Sequence, residues 1–100
     1  MLTGPLCKAA RALVQVSRGK LAKRTDVPKQ AIQNFERGLD IPDDATLKTL
    51  KENLEDLGAV FIPEEGANGA GVRLKFSSSV TDRLRTLVDE GGPSSTDAIP

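Results

Sequence analysis

The chain contains no histidine, tryptophan or tyrosine, and its 100 residues include three phenylalanines and one cysteine. Each shortfall closes off a class of chemistry. Without histidine there is no Cys2His2 zinc finger and no imidazole to act as a general base. The lone Cys7 can form no intrachain disulfide and no CxxC site. It falls on a helix face expected to be buried, where a free thiol in a reducing compartment behaves as a small apolar residue. No apolar run approaches the ~18 residues needed to span a bilayer, and the first residues lack the apolar stretch of a secretory signal. No glycine-rich phosphate loop follows a strand. The paired acids Glu64 and Glu65 stand in a polar loop with nothing to position them. The expectation is a soluble, cytoplasmic protein without a membrane partner, which is not an enzyme and uses neither metal nor cofactor.

Net charge is also missing, since 14 Lys and Arg balance 14 Asp and Glu. The distribution along the chain is uneven. Residues 1–38 carry eight Lys and Arg (Lys8, Arg11, Arg18, Lys20, Lys23, Arg24, Lys29, Arg37) against Asp26 and Glu36, a net of +6. Residues 39–66 carry eight acids against Lys48 and Lys51, a net of −6. A basic half joined to an acidic half is an electrostatic footprint that the total conceals.

A chain of this length makes one small domain with a modest core. Thr3 or Gly4 can start a first helix with Pro5 in its first turn, and Leu6, Ala9, Ala10, Leu13 and Val14 recur at helical spacing as its inner face. The stretch Ser17–Gly38 reads as two short helices joined by a tight turn, with Leu21, Ala22, Val27, Ile32 and Phe35 facing inward. Ser17 can cap the first of them and Pro28 can open the second. Asp26 occupies the turn position that calls for a left-handed backbone, which Asp tolerates better than most residues. Gly38 suits the end of the second helix, predicted over 28–37. Asp43 caps a fourth helix whose stripe is Leu47, Leu50, Leu54 and Leu57, and Gly58 ends it.

Beyond Gly58 the period changes. Ala59–Ile62 is a short apolar run and Val72–Phe76 alternates, with a polar, turn-rich segment between them. This predicts a β-hairpin with a long, mobile loop. An isolated hairpin is marginal in water, so it must lie on the helical core or pair with the hairpin of a second copy. Ser79 then begins a short helix with Val80, Leu84, Leu87 and Val88 on one face, and residues 91–100 read as a disordered tail.

The run Leu21-Ala22, then Val27, Ile32 and Phe35-Glu36-Arg37-Gly38 resembles the Cro/C1-type (XRE) family of helix-turn-helix regulators, whose pattern is Gln-x-x-Leu-Ala-x-x-x-Gly-Val-Ser-x-x-x-Ile-x-x-x-Glu-x-Gly. The resemblance extends outward to about Thr3–Phe76, and short bacterial members carry a similar hairpin extension. Arg18 stands where the family pattern has Gln, Asp26 where it has Gly, and Pro28 where it has Ser or Thr. The resemblance implies a mostly α fold, a lambda-repressor-like bundle of four helices followed by a β-hairpin and a short C-terminal helix. It divides the chain into a DNA-binding domain over 1–58, a dimerisation extension over 59–90 and the tail. It also makes Glu36 a structural acid, paired with an arginine such as Arg11.

In a helix-turn-helix the second helix enters the major groove. Lys29, Gln30 and Gln33 are then the expected base contacts, with Asn34 reaching a base or a phosphate, because Gln and Asn can pair with adenine and Lys with guanine. Arg18, Lys20, Lys23 and Arg37 are the expected phosphate contacts. The expected function is sequence-specific binding of double-stranded DNA by a homodimeric transcriptional repressor. The alternative is a protein-interaction module, an antitoxin or antiactivator, that uses its acidic segment and last helix to mask a protein partner.

Overall fold

The computed structural model describes residues 1–77, so the expected last helix from Ser79 and the tail over 91–100 lie outside the described residues. Four helices come first: α1 (Gly4–Val14), α2 (Arg18–Thr25), α3 (Lys29–Glu36) and α4 (Asp44–Asp56). An antiparallel hairpin of β1 (Ala59–Ile62) and β2 (Gly71–Leu74) follows.

Local chemistry sets most of the helix ends. The Thr3 hydroxyl accepts from the Leu6 N–H at 3.3 Å, that of Ser17 from Lys20 at 3.0 Å, and the Asp43 carboxylate from Thr46 at 2.8 Å. Each satisfies a backbone donor that the first helical turn leaves unpaired. Pro28 sits one place earlier than the sequence predicts. Its ψ of 137° keeps it outside the helix as the cap, and α3 begins at Lys29. At the other end Gly38, with φ of 76°, reverses the chain. Its N–H reaches the Phe35 carbonyl at 3.1 Å while that of Leu39 reaches Asn34 at 2.8 Å. This pair of bonds is the Schellman arrangement, and its left-handed residue is what calls for glycine.

The core gathers Cys7, Leu21, Ile32, Leu50 and Leu54, all fully buried, with Phe35, Leu47, Val14 and Val27 around them. The inner face of α1 departs from expectation. Gly4, Cys7, Ala10 and Val14 are buried, whereas Ala9 is exposed and Leu6 and Leu13 are half-buried. The inward stripe therefore passes through Cys7 at the spacing i, i+3, i+7, and Ala9 lies off it. On α4 the predicted leucines are buried up to Leu54, and Leu57 is half-buried at the cap.

The hairpin pairs Ala59 with Leu74 and Phe61 with Val72. Those four side chains share one face and pack against the helical core, next to α1 and α4. The core is thus the support this face has found. The connecting segment is less open than a long loop, because Glu65 and Asn68 exchange both backbone bonds, at 3.0 and 2.9 Å, around a tight turn. Strand β2 stops at Leu74, and Phe76 is left 45% exposed.

Candidate nucleic-acid interface

The turn between α2 and α3 is fixed by few groups. Thr25 donates its hydroxyl to the Leu21 carbonyl at 2.7 Å and accepts from the Val27 N–H at 3.3 Å. Asp26 takes the left-handed backbone, with φ of 59°, and Val27 turns its side chain into the core. Ile32 and Phe35 then anchor α3 from its inner side.

At 100° per residue, Lys29, Gln30, Gln33 and Asn34 fall together on the arc opposite those anchors. Lys29 and Gln30 are exposed, and Gln33 and Asn34 half-buried. The Gln30 side-chain amide donates to the Asn34 side-chain Oδ1 at 3.0 Å, which holds two of the four in a fixed relation across one helical turn. The row presents amide donors and acceptors together with an ammonium group, the set that distinguishes base edges in the major groove.

The expected phosphate contacts lie on α2 and at the end of α3. Lys20 and Lys23 are exposed on α2, and Arg37 is exposed at the end of α3. Arg18, at the first position of α2, is half-buried, because its Nε donates to a Glu36 oxygen at 2.9 Å.

Glu36 is the buried centre of the motif, and its side chain is fully enclosed. Arg11 grips it with two parallel bonds, Nε to Oε2 and Nη2 to Oε1, both 2.7 Å. The Cys7 thiol donates to Oε2 at 3.2 Å. Burial opposes ionisation of this carboxyl. The bonds from Arg11, Arg18 and Cys7 outweigh burial, and the carboxyl is held below its ordinary value. The Arg11 guanidinium is pushed the other way by its bonds to Glu36. Burial, reinforced by the bond to Glu36 and its charge, pushes the Cys7 thiol up to about 12, so it keeps its proton and serves as a donor. The expected pairing of Glu36 with Arg11 is thus present.

Three features of this site are not visible in the sequence. One is the second arginine on Glu36, another the thiol that completes its shell. The third is Gly4, whose Cα passes so close to α3 that an added Cβ would lie 2.2 Å from the Phe35 carbonyl oxygen. A Gly-Pro pair at a helix start carries no mark of such an approach.

Among the described residues no group of His, Cys, Asp and Glu could hold a metal ion, and no helix is long and apolar enough to cross a membrane. Compared with known families, residues 8–55 match the model described as helix-turn-helix, from within α1 to the last turn of α4. No curated protein matches the chain.

Proposed function

We propose, from the match of residues 8–55 to the helix-turn-helix family model and the resemblance to the Cro/C1-type (XRE) family, that this protein is a sequence-specific transcriptional regulator that binds double-stranded DNA as a homodimer. The observation that carries the reading is the outward row of α3, with Lys29, Gln30, Gln33 and Asn34 held over an apolar inner face, in a motif that also carries the exposed cations Lys20, Lys23 and Arg37. Helix α3 lies in the major groove, with its N-terminal half against the bases. Lys20, Lys23, Arg37 and Arg18 set the register on the backbone. Repression by occluding polymerase is the simplest mechanism for a domain of this size, and it places the protein in the cytoplasm with the chromosome.

Two copies related by a two-fold axis require half-sites about one helical turn, ~34 Å, apart. Footprinting on the DNA upstream of the protein's own gene, with light scattering at tens of micromolar, tests this. Paired protections and a dimer mass support the reading. A monomer giving a single protected patch contradicts it.

A second reading, capture of a protein partner, is favoured by a groove between the N-terminus and the hairpin. Its walls include Met1, Leu2, Leu6, Phe61, Ile62 and Pro63, and the adjoining segment over 39–66 carries a net of −6. Partner binding that survives the combined Lys29→Ala and Gln33→Ala substitutions would support it. The two roles can coexist.

A further inference from the structure

Glu36 receives four donors, which matches the acceptor capacity of a carboxylate. The two arginines use it differently. Arg11 engages both oxygens through its planar fork and also donates from Nη1 to the Val16 carbonyl at 3.2 Å. Arg18 gives Nε alone, and its two terminal amino groups meet no acceptor among the described residues.

A single bidentate arginine suffices to neutralise one buried carboxylate. The second guanidinium leaves the cluster with an excess positive charge, repelled by Arg11 and only partly exposed, at 24% of its side chain. A phosphate would cancel that excess and fill the open donors.

We propose that Glu36 is a positioning residue for DNA: by gripping the Nε–H of Arg18 it presents the terminal amino groups of that side chain to a backbone phosphate. This rests on the DNA-binding reading above. The pairing with Arg11 holds α1 to α3, whereas the pairing with Arg18 aims a contact. Guanidinium is required for the aim. It can give one edge to Glu36 and others, on separate nitrogens, to the phosphate, whereas a lysine ammonium gathers its three donors on one atom and cannot span from the buried Glu36 to an outer phosphate.

The test is the salt dependence of binding, measured by fluorescence anisotropy on a duplex of the DNA upstream of the protein's own gene. Each phosphate contact contributes about 0.9 to the slope of log K against log salt, or about 3.5-fold in affinity over a fourfold rise in salt. Arg18→Gln should flatten the slope by about 0.9. Arg18→Lys should flatten it equally although the charge is unchanged. Glu36→Gln should give the same flattening, with no further change when combined with Arg18→Gln. A purely structural role would lower the melting temperature of these variants and leave the slope alone.

Should Glu36→Gln fail to fold, the lysine variant decides by itself. A wild-type slope in Arg18→Lys, or in Arg18→Gln, overturns the proposal while DNA binding stands. Absence of binding by the wild-type protein overturns the DNA-binding reading and this proposal with it.

Discussion

Gly4 offers the sharpest test of how α1 sits on α3. A methyl group added there would meet the Phe35 carbonyl oxygen at 2.2 Å and the Glu36 Cα at 3.2 Å. A comfortable C···O contact is near 3.3 Å, so Gly4→Ala must push the two helices apart by about 1 Å. Overpacking of this kind costs about 1–3 kcal/mol. The obstacle is backbone rather than a flexible side chain, so the expected loss is about 2–3 kcal/mol. For a domain of this size that lowers the melting temperature by roughly 8–24 °C. Gly19 supplies the matched control. It lies in α2, and its added methyl would meet nothing nearer than the Ser17 hydroxyl oxygen at 3.9 Å. Gly19→Ala should therefore stabilise by up to about 1 kcal/mol through helix propensity. Thermal and urea unfolding followed by far-ultraviolet circular dichroism read both variants. The reasoning is refuted if Gly4→Ala melts at or above the wild-type temperature, or if the two substitutions shift stability in the same direction.

Two further outcomes follow from the buried cluster. The Glu36 carboxyl is held below its ordinary value of 4.5, so its ionised form stabilises the fold above that pH, and the contribution is lost as pH falls through the lowered value. Melting temperatures should therefore drop below pH 4.5. Glu36→Gln, which leaves Arg11 facing a neutral group, should cost about 3–5 kcal/mol at pH 7 and lose this part of the acid dependence; an unchanged acid profile in the variant would contradict the assignment. Cys7, with its thiol pushed up to about 12 and buried, should react with iodoacetamide at pH 8 far more slowly in the native protein than in urea. Equal rates would show that the thiol is not enclosed.

Much of this fold was legible because local signals and tertiary needs agree. Ser17, Asp26, Gly38 and Asp43 each occupy a cap or turn whose geometry their own chemistry favours, and the apolar spacing of Leu21, Ile32 and Phe35 fixes which face of the motif is inward. Where several residues satisfy the same period, the sequence does not choose between them. On α1 a stripe through Ala9 and one through Cys7 are both helical, and the packing of α3, α4 and the hairpin around α1 leaves Ala9 outside. The outward row of Lys29, Gln30, Gln33 and Asn34 could be placed from spacing alone, because outwardness follows from the anchors. The Arg18–Glu36 bond could not, since it joins residues on different helices and depends on how the helices cross.

The central claim, that the outward row of α3 reads DNA sequence, is tested most directly by anisotropy of the purified protein on the DNA upstream of its own gene and on an unrelated duplex of equal length. The account predicts tighter binding to the cognate fragment, a steep decline with salt, and loss of the preference in the Lys29→Ala, Gln33→Ala double variant. Equal, weak binding to both duplexes, unchanged in the double variant, would contradict it and direct attention to the groove beside the hairpin.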